Sequence, residues 1–292
     1  MHVMKVVERK SEIRGADIGN ILIDAGRLTV ADLNRIVALQ GKEEILFGEA
    51  AVALGILSEE DVRWALSCQY SYPSVDTEDR ALARELIAAH DPADPRVEAL
   101  RCVRSGLMFT GAGKRIKTIA IVSADAEEGK TFVAANLAVV FAQLGLRTLL
   151  MDLNFRTPRV HSLFQMKNNT GASSLIIKRA LFEKAVHKTT INALAVLPSG
   201  PKPPNPSELL SWQDSRELMA TVKENFDVAI IDTPAFVKTA DAMMIASLCD
   251  GTLITALKGK TKLAAMAQMK KQLEASSVRI LGSVMNEMGK KK

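Results

Sequence analysis

From Ile116 onward, short apolar runs alternate with stretches of helical spacing. The runs are TIAIVSA, TLLMD, LAVLP, VAIID, TLITA and ILGSVMN. Each is apolar at consecutive rather than alternate positions, as strands buried on both faces are. Between most of them apolar residues recur at helical spacing, most clearly from Thr131 to Leu144. This alternation predicts an α/β domain whose mainly parallel sheet is covered by helices on both sides.

The first seventy or so residues follow a different rule. Shifted by 29 positions, Asp17 to Gln40 aligns without a gap on Leu46 to Gln69, pairing Gly19 with Gly48, Gly26 with Gly55, Asp32 with Asp61 and Gln40 with Gln69. Each copy reads as a short apolar helix, a glycine stop and a second helix. The second helix is opened by Thr29 or Ser58 with an acidic residue three positions on, the capping-box arrangement. Two helical hairpins that bury their apolar faces against each other are expected. Between the two regions lie YPSVDTED and HDPADP, rich in Pro, Ser and Asp, with one short amphipathic helix, ALARELIAA, between them. The expected organisation is therefore a helical repeat domain at 13–72, a linker at 73–97 and an α/β domain at 98–289.

A chain of 292 residues with 48% apolar composition can build both cores. Cys68, Cys102 and Cys249 and the four histidines, His2, His90, His161 and His187, are too dispersed for a metal cluster. The net charge of +5 is spread out, and the one basic run, Lys290 to Lys292, reads as a solvated tail, so no nucleic-acid partner is expected. No run reaches the ~18 apolar residues of a membrane span, and the basic start of the chain lacks a signal-peptide core. A cytoplasmic location is expected, peripheral to the inner membrane through a protein partner.

The chemistry is concentrated after the first strand. Ser123, Ala124, Asp125, Ala126, Glu127, Glu128, Gly129, Lys130 and Thr131 form a loop that runs straight into a helix beginning TFVAAN. Such a loop presents backbone N–H groups to phosphate. In the GxxxxGK[ST] pattern Lys130 reaches the β and γ phosphates of ATP and the Thr131 hydroxyl ligates Mg²⁺. The leading glycine is Ala124, one methyl group away from the pattern. A metal-bound triphosphate also needs carboxylates at strand ends, and TLLMD and VAIID supply Asp152 and Asp232. Thr131, Asp152 and Asp232 are the candidate metal residues, and Phe132 and Asn286 complete the candidate nucleotide set.

Together these features resemble the bacterial tyrosine kinases over about residues 95 to 286. The segments that carry the likeness are SADAEEGKT, LLMDLNFRTP, IIDTPA, PPNPSELL and EALRCVR. The resemblance implies a P-loop NTPase fold of the MinD/ParA kind. It implies that a tyrosine hydroxyl from a neighbouring subunit attacks the γ-phosphate, with Lys130, Asp152 and Asp232 as the catalytic set and Asp152 the candidate base. By the same likeness Arg156 is the third element of the DxDxR segment, and Glu98, Arg101 and Arg104 form an ExxRxxR oligomerisation motif. The joint pattern is most similar to the chain-length-determinant tyrosine kinases of exopolysaccharide operons. These work with an integral membrane chain-length regulator of the Wzz type, and self-association is implied. The repeat at 13–72 resembles the MshEN domain, whose motif begins Arg-Leu-Gly and can bind cyclic di-GMP. Its arginine is here Asp17 in one copy and Leu46 in the other, so a docking module is the first reading and dinucleotide binding the second.

Two departures from the kinase pattern set up an alternative. The second aspartate of DxDxR is Asn154, which implies weaker Mg²⁺ handling and slower phosphoryl transfer. The family's tyrosine-rich tail is replaced by VMNEMGKKK, leaving Tyr70 and Tyr72 as the only tyrosines. An ATP-gated oligomeric scaffold is the competing reading. A MinD- or ParA-type positioning ATPase is a third, but its early signature lysine is missing from Ala124, Asp125 and Ala126.

Overall fold

The computed structural model describes residues 18–69, 82–109, 116–237 and 239–287, in two compact units divided between Ser74 and Val75. Helices α1 (Ile18–Asp24), α2 (Val30–Glu43), α3 (Phe47–Ala53) and α4 (Glu59–Gln69) make up the first unit. Gly26 and Gly55 stop α1 and α3 with φ of 71° and 65°, the left-handed backbone that favours glycine. Thr29 caps α2 by accepting from the Asp32 N–H at 3.2 Å. The second copy closes the full reciprocal box, with Ser58 N–H donating to Asp61 at 3.0 Å and Asp61 N–H donating to the Ser58 hydroxyl oxygen at 3.1 Å. α1 lies on α4 and α2 on α3, so each copy completes the core of the other around Leu22, Ile36, Ala50, Ala51 and Ala65. Arg27 ties the copies together, 3.0 Å from Asp61 and 4.2 Å above the Trp64 ring.

The second unit begins with α5 (Ile87–His90) and α6 (Pro95–Phe109), then β1 (Thr118–Val122), α7 (Lys130–Ala142) and β2 (Thr148–Asp152). The short helices α8 (Val160–Leu163), α9 (Ala172–Ile176) and α10 (Phe182–Ala185) lead to β3 (His187–Lys188) and β4 (Leu194–Leu197). α11 (Pro206–Ser211), α12 (Gln213–Asn225), β5 (Val228–Asp232), α13 (Asp241–Leu248), β6 (Gly251–Leu257), α14 (Leu263–Ala275) and β7 (Ile280–Asn286) complete it. Among the described residues the seven strands form one sheet in the order β3-β4-β2-β5-β1-β6-β7, parallel except for the short β3 against β4.

Side chains alternate across this sheet. Ile119, Ile121, Leu150 and Ile230 join one core with α5, α6 and α7. Ala120, Val122, Met151 and Ile231 join the other with α11 to α14. α7 is buried from Val133 to Ala142 because the sheet covers one side and α5 and α6 the other.

The linker expected over 73–97 is corrected in its second half. Leu82, Leu86, Ile87, Ala88 and Ala89 are buried in the core under α7. The Ala88 N–H donates to the Asn136 side-chain oxygen at 2.9 Å, and the Gln143 amide donates to the Ala88 carbonyl at 2.8 Å. Among the described residues of the run ALARELIAA, only those of α5 are helical. The Pro and Asp residues mark turns, and turns can sit on a core as readily as between domains. Among the described residues no helix is long and apolar enough to cross a membrane.

Candidate active site: a phosphate loop beside paired carboxylates

β1, β2 and β5 are neighbours, so their carboxyl ends deliver three segments to one place, where open α/β sheets hold their ligands. The loop 123–129 leaves β1 and enters α7, whose first N–H groups have no intrahelical acceptor. Gly129 has φ of 87°, and a Cβ there would run into the Asn286 amide. That amide donates to the Glu128 carbonyl at 3.1 Å, which places Asn286 against the loop. Phe132, next to Thr131 at the start of α7, is half-buried and packs against the core.

The Lys130 ammonium is buried within the loop, 2.8 Å from the Ser123 hydroxyl and 3.2 Å from the Asp125 carbonyl. Burial pushes it below the usual lysine range, opposed by the charges of Asp232, Glu128 and Asp125. Ser123 and Ala124 are themselves buried, and Asp125 turns its carboxylate onto the Ala126 N–H at 2.7 Å.

Asp152 and Asp232 face each other in register on β2 and β5. Asp152 is fully buried and accepts three backbone N–H groups, from Asn154 at 2.9 Å and from Arg159 and Val160 at 3.1 Å each. Asp232 accepts the Thr131 hydroxyl at 2.7 Å on one oxygen, while its other oxygen, Oδ1, is buried with no hydrogen-bond partner. Burial, and then the neighbouring Asp232 charge, push Asp152 up to about 8. Burial pushes Asp232 up to about 6 against the pull of Thr131 and Lys130. Two such carboxyls side by side, one with an open oxygen beside a threonine hydroxyl, fit a divalent cation.

This arrangement could hold nucleotide phosphates beside a divalent cation. The family described as the AAA domain matches residues 116–279. The tyrosine-protein kinase YwqD of Bacillus subtilis (strain 168) is 38% identical over 210 residues, covering 72% of this chain and 88% of that protein. The chain belongs to the bacterial tyrosine-protein kinases. The solved kinase domain of the Escherichia coli tyrosine kinase ETK is 30% identical, with a TM-score of 0.68 over 71% of this chain and 81% of that one. The fold is also that of the septum site-determining protein MinD of Pyrococcus horikoshii OT3, solved with Mg-ADP, at a TM-score of 0.53 and 22% identity over 60% of this chain and 72% of that one.

The remaining residues of this tyrosine-kinase family member fall in several places. Asn154 is turned from the carboxylate pair, its amide donating to the Thr157 carbonyl at 3.0 Å and its oxygen accepting the Thr157 N–H at 3.1 Å. Arg156 donates to the Asp241 carboxylate at 2.6 Å. Burial opposes the Asp241 charge, but bonds from Arg156 and Ser207 win and hold that carboxyl below the usual range. On α6, Glu98 is exposed and bonded to Arg101 at 2.9 Å. Arg104 is buried and donates to the Val140 carbonyl at 2.7 Å, which joins α6 to α7. Tyr70, Tyr72 and the tail from Met288 lie outside the described residues. Sequence reasoning missed Thr261 and Lys260, which reach Glu128 and Glu127 at 2.6 and 2.9 Å. Their signal was a polar KGKT segment at the carboxyl end of β6.

Proposed function

We propose that the chain is an ATP- and Mg²⁺-dependent protein-tyrosine kinase that acts with an integral membrane chain-length regulator in exopolysaccharide synthesis. The observation that carries this is the open Asp232 oxygen, set beside Thr131 and across from Asp152 at the mouth of a phosphate loop. Backbone N–H groups at the start of α7 bind the phosphates, and Lys130 neutralises charge as the γ-phosphoryl group leaves ADP. Asp152, raised in proton affinity by burial and by Asp232, accepts the tyrosine proton. Thr131, Asp232 and Asp152 would hold Mg²⁺, which would supply positive charge against the phosphates and the two carboxylates. Subunit contacts run through α6, with Glu98, Arg101 and Arg104. The first unit is a docking module, and cyclic di-GMP is its alternative ligand.

Asn154 supports a second reading, an ATP-gated scaffold without transfer, because the family's second carboxylate is here an amide committed to Thr157. The readings separate in an incubation with labelled ATP and Mg²⁺, with and without the cytoplasmic tail of the regulator. Phosphotyrosine mass spectrometry should find label that rises with the tail and is missing from Lys130→Met. Nucleotide binding and tail-dependent assembly with no phosphotyrosine would select the scaffold.

A further inference from the structure

Glu128 sits in the phosphate loop between two left-handed residues, Glu127 with φ of 59° and Gly129 with φ of 87°. A non-glycine residue keeps such a backbone only where its surroundings hold it there. Four contacts hold this segment. The Glu128 carboxylate is buried and accepts the Asp125 N–H at 2.9 Å on one oxygen. Its other oxygen accepts the Thr261 hydroxyl at 2.6 Å, and its carbonyl accepts the Asn286 amide at 3.1 Å. On the outer side Lys260 pairs with Glu127 at 2.9 Å.

Thr261 is well suited to this position. It lies in the turn between β6 and α14, where its oxygen accepts the Leu257 N–H at 2.8 Å, so its single hydroxyl proton is left for Glu128. The chain from Thr261 to Glu128 to the Asp125 amide therefore ties the far loop of the sheet to the phosphate cradle. We propose that Thr261 is a positioning residue for nucleotide binding, acting through Glu128 to hold the loop 125–129 in its phosphate-accepting shape. This rests on the reading of the loop as a nucleotide site. It goes further in naming a determinant outside the loop, on the segment after β6, that sets nucleotide affinity rather than the transfer step.

Thr261→Val keeps the shape of the side chain and removes the proton donated to Glu128; Thr261→Ser keeps the hydroxyl. The full chain is titrated with Mg-ATP and Mg-ADP, and phosphate transfer is followed at saturating ATP. Thr261→Val should weaken both nucleotides by about tenfold, the loss of one hydrogen bond to a charged group, while the maximal transfer rate changes little. Thr261→Ser should stay within about threefold of the unmodified chain, since its hydroxyl can make the same bond. If Thr261→Val does not fold, Thr261→Ala, which also lacks the hydroxyl, should show the same loss. Unchanged affinity in Thr261→Val, or a Thr261→Ser defect as large as that of valine, overturns the inference. Absence of nucleotide binding by the unmodified chain would instead overturn the kinase-site reading beneath it.

Discussion

Lys130→Met should reduce phosphoryl transfer by about 100-fold or more, the effect expected when a preorganised charge is removed from a transition state, while the protein stays folded. Methionine has nearly the length of the lysine stem and is apolar. The ammonium it replaces is buried in the loop, with the Ser123 hydroxyl and the Asp125 carbonyl as its polar contacts. Burial already pushes the Lys130 amine below its usual range, so the folded chain gives up little by losing the charge. Desolvation outweighs the attraction of Asp232, Glu128 and Asp125 at this ammonium, so stability should fall by no more than about 1 to 3 kcal/mol. Transfer rate and thermal denaturation should therefore diverge. A parallel fall in both would mean that Lys130 is a structural residue of the loop.

Asp232→Asn and Asp152→Asn should have opposite effects on stability in EDTA, although both abolish transfer. Asp232 has a buried oxygen with no partner and a carboxylate directly across from it. Neutralising it removes the cost of burying that charge and should stabilise the metal-free fold by about 1 to 3 kcal/mol. Asp152 has its oxygens filled by three N–H donors. An asparagine there must turn its own N–H₂ toward at least one of them, at a cost of about 1 to 3 kcal/mol.

The pH dependence carries the same signature. Both folded carboxyls are raised, Asp152 to about 8 and Asp232 to about 6, so their favourable contribution is complete only below the ordinary Asp value of 3.8. As pH rises the unfolded chain ionises first, and stability is lost until the folded groups ionise in turn. Without metal, melting temperature should fall between about pH 4 and 8, and Asp232→Asn should flatten the decline. Mg²⁺ with nucleotide should do likewise in the unmodified chain. A profile identical in the two proteins would contradict the coupling of these carboxyls.

The strands were legible because runs such as VAIID and TLLMD are apolar at consecutive positions, and burial on both faces asks for nothing else. β3 was missed because His187 and Lys188 are two polar residues paired at the sheet edge, without a hydrophobic pattern. Residues 82–89 read as linker because local punctuation says nothing about the buried Asn136 and Gln143 side chains that receive them. At the site, Lys130 and Thr131 could be named from the glycine loop before a helix, and Asp152 and Asp232 from their places at strand ends. That the two aspartates stand directly opposite each other depends on β5 lying between β1 and β2. Asp241 and Thr261 act on groups 85 and 133 residues away, distances over which no local pattern speaks.

Transfer of the γ-phosphate of ATP to tyrosine by the full chain tests the account most directly. It is measured by phosphotyrosine mass spectrometry on an added tyrosine-containing peptide, with Mg²⁺ or EDTA. Phosphotyrosine that needs Mg²⁺ and disappears in Asp232→Asn is the predicted result. Nucleotide bound with Mg²⁺ but no phosphotyrosine on any acceptor, even beside the regulator's cytoplasmic tail, would contradict it.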